Sequence, residues 1–239
     1  MEETECHVCG NSFTYLGNHW KGENKCSYPN LTDRQYQITT GLLLGDANCS
    51  RSGTNPHIDV KNTNRKFLEW VNEEYGIISN GISLSRTAED SARSLQNTIS
   101  PNTVAEGCND VYRLTTRSHP EFEEFREWYE TGEKRFPEDL ILTPLIVKVW
   151  YVCDGSLWMN EGCTGRVSIS SVNESDRCEF LIQLFENKGF SPTYTGDHIF
   201  FGTDESFDIL HWMGEPIPGF EYKWAIEDFE GYQREYSER

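Results

Sequence analysis

The chain has 239 residues, enough for one large domain or two of roughly 100 residues, each with a hydrophobic core. Its net charge of −18, from 39 acidic against 21 basic residues, opposes generic binding of a polyanion, because long-range repulsion works against it. No apolar stretch approaches the roughly 18–20 residues of a membrane span. The opening MEETECHVCG has neither the basic nor the apolar region of a signal peptide, so an intracellular protein with no membrane partner is expected.

Among the basic residues Arg outnumbers Lys, 13 to 8, and the acids are spread along the chain rather than gathered in one tail. That balance suits molar salt, where the Debye length is about 3 Å and remote charges hardly sense one another. A halophilic source is expected. In such a cytoplasm an acidic protein still touches phosphates through local contacts.

At the amino terminus, residues 1–29 read as a small metal module. Intracellular thiols stay reduced, so the eight cysteines are metal ligands and small buried residues rather than a disulfide framework. Cys6, Cys9, His19 and Cys26 follow the pattern C-x2-C-x9-H-x6-C, which completes a closed tetrahedral site for structural Zn2+. Gly10 eases the knuckle of the first pair, and Phe13 and Leu16 supply an apolar cover. His7 neighbours Cys6 and is the poorer ligand. The spacing to the histidine is shorter than in the usual DNA-reading finger and resembles a treble-clef or short C2HC finger.

Next comes LTDRQYQITTGLLLGDA. Thr32 and Gln35 form a capping-box signature with Leu31 as a staple to Tyr36, so a helix is expected from 33 to about 46. Gly41 and Gly45 lie four apart on one face, and each costs the helix roughly 1 kcal/mol against alanine. Close approach of a second helix would compensate. Asp46 sits at the helix end, where the negative dipole disfavours a carboxylate. A residue placed badly for stability is a candidate for function.

A second segment, PEDLILTPLIVKVWYVCDGSLW, has the same outline, and the two align as TTGLLLGDA with VKVWYVCDG. Cys153 then matches Gly45 and Asp154 matches Asp46. Each aspartate is followed by two short alternating stretches and by a helix ending on glycine, Gly76 or Gly189. Each unit then adds another strand pair and another helix, PEFEEFREWYE in the first and DESFDILHWMG in the second. The expected fold is therefore α+β, two pseudo-symmetric αββαββα repeats over 30–135 and 136–224, with an acidic tail over 225–239. A polar insertion at roughly 88–108 has no counterpart in the second repeat.

The aspartate-ended helices, the repeat, and phrases such as LTPLIVKVWYVCDGS and IPGFEYKW resemble the LAGLIDADG homing endonucleases in their single-chain, two-repeat form. The resemblance implies that the motif helices pack at a pseudo-twofold axis and that the strands form a saddle of antiparallel sheets over double-stranded DNA. It implies a monomer that hydrolyses one phosphodiester on each strand, with Asp46 and Asp154 as catalytic and Mg2+-holding acids. The carbonyls of Ala47 and Gly155 are implied as further ligands. Two departures stand out. Val149 occupies the place of the family's first small residue, so asymmetric packing is expected, and Leu157 stands where family members often carry a basic residue.

DNA readers are expected on the strands. They are Arg51, His57, Lys61, Arg86, Arg113 and Arg117 in the first repeat, and Arg166, Ser168, Ser170 and Tyr194 in the second, since a two-stranded ribbon fits the major groove and Arg pairs with guanine. The acidic surplus falls instead in helices and tail. Two rival readings remain open: an RNA maturase or inactive DNA-binding regulator of the same fold, and a zinc-dependent interaction protein without a nucleic-acid role.

Overall fold

The computed structural model describes residues 3–20, 26–51, 53, 55–98, 107–130 and 132–237. Within the polar insertion, 99–106 therefore lie outside the described residues, as do the last two of the tail. No helix among the described residues is long and apolar enough to cross a membrane.

The amino-terminal module consists of β1 (Thr4–Glu5) paired antiparallel with β2 (Ser12–Phe13), followed by the one-turn α1 (Leu16–His19). The first repeat opens with α2 (Asp33–Leu44), where the expected capping box is complete. The Thr32 hydroxyl accepts from the Gln35 N–H at 3.2 Å, and the Gln35 side chain accepts from the Thr32 N–H at 3.0 Å. Buried Thr39 and Thr40 return their hydroxyls to the carbonyls of Gln35 and Tyr36, so no polar group is stranded in the helix face.

After α2 come β3 (Asn48–Arg51), β4 (Pro56–Asn62), α3 (Arg65–Tyr75), β5 (Ser79–Arg86), α4 (Ala88–Thr98) and β6 (Val111–Thr116). The second repeat runs α5 (Pro144–Asp154), β7 (Gly155–Trp158), β8 (Arg166–Ser170), α6 (Cys178–Glu186), β9 (Thr193–Thr195), β10 (His198–Phe200) and α7 (Thr203–Met213). The tail adds α8 (Phe229–Ser237). The two four-stranded antiparallel sheets have the orders β3-β4-β6-β5 and β7-β8-β10-β9, so each repeat's strands are arranged first, second, fourth, third. Gly76 and Gly189 stop α3 and the turn after α6 at φ values of 52° and 89°, as the sequence requires.

One expected helix takes a different form. Pro120–Tyr129 winds as a 3-10 helix rather than an α-helix. Its buried residues Phe122, Phe125 and Trp128 are spaced by three, and three residues per turn align them on one face against the sheet. The second repeat's α6 begins at Cys178, behind a 3-10 stretch over Val172–Arg177. Inside that stretch the fully buried Glu174 accepts from the Phe136 N–H at 2.8 Å and pairs with Arg177. The carboxylate thus fastens the link between the repeats, and the local backbone yields to it.

Helices α2 and α5 form the centre of one continuous core drawn from both repeats. A Cβ placed on Gly41 would lie 2.6 Å from the Val149 Cβ and 2.7 Å from the Ile146 carbonyl oxygen. A Cβ on Gly45 would collide with Cys153. Glycines of the first motif therefore face their own aligned counterparts in the second, and the expected asymmetry takes a definite form: α2 gives up its side chains and α5 keeps small ones.

Gly45→Ala, just past the last turn of α2, overpacks this contact at a cost of about 1–3 kcal/mol. Urea unfolding of Gly45→Ala, Cys153→Gly and the double variant should show a net loss in the first and recovery in the double. Additive losses would contradict the contact.

Candidate functional site

The end of α2 and the end of α5 lie side by side because the glycine contact brings them there. Asp154 is the last residue of α5 and Asp46 follows α2 by two residues, each just before the first strand of its sheet. The Asp154 carboxyl is half-buried, while Asp46 stays exposed at its edge. Burial, and then the charge of Asp46, pushes Asp154 up to about 6, against the pull of Lys134, Lys223 and the Trp150 indole. Burial also raises Asp46, opposed by Lys223, Lys134 and a 3.4 Å hydrogen bond donated by Asn62. Two acids at two helix carboxyl ends concentrate negative potential at one point.

Two lysines answer it, and neither was singled out from the sequence. The Lys134 Nζ donates to the Gly45 carbonyl at 2.6 Å. Lys223, buried, donates to the carbonyls of Tyr151, Val152 and Gly155 at 3.1, 2.8 and 2.6 Å. Each lysine thus caps the motif helix of its own repeat, and burial lowers the Lys134 ammonium. Repeat arithmetic would have found them. Lys134 lies 88 positions after Asp46 (134 − 46) and Lys223 lies 69 after Asp154 (223 − 154), and the difference of 19 is close to the length of the insertion at roughly 88–108.

Of the expected main-chain ligands, Gly155 offers a carbonyl that already accepts from Lys223, while Ala47 is buried with its N–H bonded to the Leu42 carbonyl. A cavity of about 210 Å³ opens beside Asp154, bordered by Gly45, Lys134 and Ser170. Two oxygen-donor carboxylates whose charge is only partly offset, beside such a space, fit a hard divalent cation.

Strand parity sorts the expected DNA readers. On the first sheet Ile58, Val60 and Leu114 face the helices, so His57, Asp59, Lys61, Arg113 and Thr115 share the opposite face. Arg113 pairs across strands with Lys61 and is held by two bonds to Asp59, at 2.8 and 2.7 Å. Arg51 has the parity of buried Cys49, and its guanidinium pairs with Glu123 of the Pro120–Tyr129 stretch on the helix side. It is not on the outer face. Tyr194 likewise pairs with buried Ile199 and bonds the Ser171 carbonyl, so it too is turned inward. Arg86 is exposed at the end of β5, beyond a register irregularity. Arg117 follows β6 and bonds the Ile77 carbonyl, Asn80 and Thr4.

The second sheet presents a different outer face. Arg166 and Ser170 share it with Trp158, His198 and Phe200, whereas the expected reader Ser168, on the same side of its strand, is fully buried. Trp158 is 57% exposed, donates its indole N–H to Ser168 at 2.7 Å, and has its ring centroid 6.3 Å from that of Phe200. Arg166 bonds the Thr203 hydroxyl at 3.3 Å. This aromatic trio was not among the expected readers, although Trp158 and Phe200 stand at the outward phase of their strands.

In the amino-terminal module the ligand atoms of Cys6, Cys9, His19 and Cys26 all lie within 4.8 Å of one another, and the Cys9 sulphur is 3.5 Å from the His19 Nε2. Four such ligands around one tetrahedral Zn2+ stand roughly 3.5–3.8 Å apart. Burial opposes the Cys6 thiolate, but the amides of Cys9 and Val8 and the thiols of Cys26 and Cys9 bring it down to about 6. Cys26 is pushed up to about 11 by burial and the neighbouring sulphurs. A thiolate cradled by knuckle amides fits a bound metal.

A family model described as the LAGLIDADG DNA endonuclease family matches residues 36–195. An uncharacterized protein of Methanocaldococcus jannaschii is 29% identical over 129 residues, covering 54% of this chain and 46% of that protein. Protein RecA of Mycobacterium shimoidei is 24% identical over 178 residues, covering 66% of this chain and 37% of its own length. The chain thus spans less than half the length of these curated relatives. Among solved structures, the homing endonuclease I-WcaI bound to its DNA recognition sequence shares the fold at a TM-score of 0.69 and 16% identity, over 84% of this chain and 89% of that one.

Asp154 makes a sharp test of the electrostatics. Its carboxyl is raised from 3.8 to about 6 on folding, so the penalty is fully present above pH 6 and disappears as pH falls toward 4. In metal-free buffer, Asp154→Asn should be more stable than wild type at pH 7.5 by about 1–3 kcal/mol, with the gap closing below pH 6. An Asn variant less stable at both pH values would contradict it.

Proposed function

The chain belongs to the LAGLIDADG DNA endonuclease family, and from that premise we propose that it is a site-specific endonuclease hydrolysing one phosphodiester on each strand of a DNA duplex. The observation that carries this reading is the delivery of Asp46 and Asp154 to one point by the α2–α5 contact, each acid just before the first strand of its own antiparallel sheet. A surface of antiparallel strands is one that a major groove accepts.

Asp46 and Asp154 would hold Mg2+, which when bound supplies Lewis-acid stabilisation of the attacked phosphate and a water acidic enough to act as nucleophile. The chain's own residues do the rest. Asn62 orients the Asp46 carboxylate through its amide. Lys134 and Lys223 hold fixed positive charge beside the acids, where negative charge would accumulate during phosphoryl displacement, in surroundings that magnify it. Close packing of the helix ends keeps the two acids at a constant separation, so positioning needs no rearrangement on binding.

Retention of both acids at helix carboxyl ends, where a carboxylate is disfavoured, favours cleavage over the maturase or regulator reading. The composition further suggests that binding tolerates molar potassium, since contacts must then be local. The test is incubation of a randomised plasmid library with the protein, Mg2+ and high potassium. Wild type should linearise a subset of plasmids and the Asp46→Asn, Asp154→Asn double variant none, with DNA binding retained. Wild type that binds duplex but never cuts would hand the case to the regulator reading.

For the amino-terminal module we propose a structural Zn2+ on Cys6, Cys9, His19 and Cys26. The purified protein should contain one equivalent of zinc, and removal by a strong chelator should expose three additional reactive thiols while lowering the unfolding midpoint. Thiols equally reactive before and after chelation would refute the site.

A further inference from the structure

The amino-terminal module does not merely sit beside the first repeat; its placement builds a groove. The module's small core of Cys6, Leu16 and Trp20 packs on Ile77, and Arg117 reaches from the end of β6 to the Thr4 hydroxyl at 3.1 Å. Between module and sheet lies a groove of about 370 Å³, with Tyr15 and Asn18 on one wall and Arg113, Thr115, Arg117 and Ser118 on the other. Arg113 and Thr115 belong to the outer face of the first sheet, so the groove continues that face beyond the strands.

Its chemistry is selective. In a chain with 39 acidic residues, no carboxylate among the described residues lines the groove. The Arg113 charge is already balanced by Asp59. Arg117 differs: its bonds go to a carbonyl, an amide oxygen and a hydroxyl, all neutral, and among the described residues no carboxylate forms an ion pair with it. A half-buried guanidinium kept without a counter-ion in so acidic a protein is placed for an anion from outside, and hydroxyls on both walls supply further donors.

We propose that this groove takes the phosphodiester backbone of the bound duplex, so that the amino-terminal module extends the DNA contact past the end of the first sheet. The proposal rests on the reading of the strand faces as a DNA interface and adds a binding site on a module otherwise explained as a brace. Contacts of this kind fix register without reading bases. Arg117 thereby moves from the expected base reader to a phosphate anchor that also ties module to sheet.

Tyr15 is the position to test, because it is 59% exposed at the groove wall and its side chain makes no capping bond. Binding of the full chain to a long mixed-sequence duplex would be measured across salt concentrations, with unfolding midpoints as a check on folding. Tyr15→Glu should weaken binding about tenfold at low salt, while Tyr15→Lys should tighten it and steepen the salt slope by about one; Arg117→Gln should flatten it by about one. If both Tyr15 variants match wild type in affinity and slope while Lys61→Gln weakens binding, the groove does not contact DNA and the module is a brace alone. If Lys61→Gln is also without effect, the strand-face reading itself falls, and the groove proposal with it.

Discussion

The contact between α2 and α5 is the constraint on which everything else depends. Two helices approach until a methyl group at Gly41 or Gly45 would not fit, and from that approach follow the continuous core, the pairing of the sheets and the meeting of the two acids. Dispersion across a close interface is short-ranged, so the contact is gained nearly whole or lost. The helix gives up propensity at Gly41 to obtain it, an exchange that makes sense only with the partner in place. Val149 and Cys153 show that the exchange need be made on one side alone.

That geometry sets stability against chemistry. Helix carboxyl ends repel anions, burial repels them further, and Asp46 and Asp154 repel each other. Lys134 and Lys223 offset part of this while donating to main-chain carbonyls at the two helix ends. The site is therefore held under electrostatic load by the packing beneath it. Residual negative potential of that kind is what draws a cation in.

Much of this was legible in the sequence. Capping at Thr32, the paired glycines, the misplaced acids and the terminating glycines each leave a local chemical trace, and their recurrence 108 positions apart (154 − 46) exposes the repeat. What escaped depends on phase or on distant partners. Arg51 and Tyr194 were chosen by residue type, although β3 places Arg51 on the side of Cys49 and β9 places Tyr194 on the side of its buried partner Ile199. The 3-10 form of Pro120–Tyr129 answers a three-residue aromatic spacing that an α-helical reading treats as equally acceptable. Lys134 and Lys223 lie in stretches with no periodicity of their own, and only tertiary proximity gives them meaning.

The outer faces of the two sheets carry different chemistry on the same scaffold. One is charged and amide-rich around Lys61, Arg113 and Asp59; the other is aromatic and hydroxylic around Trp158, Phe200 and Ser170. A dimer of identical halves has no left and right, and whatever lies across it can be turned end for end. Here the strand order repeats and the surface does not, which would give an elongated ligand one polarity of seating. With both repeats in one chain, each half carries its own surface chemistry around a shared helix contact.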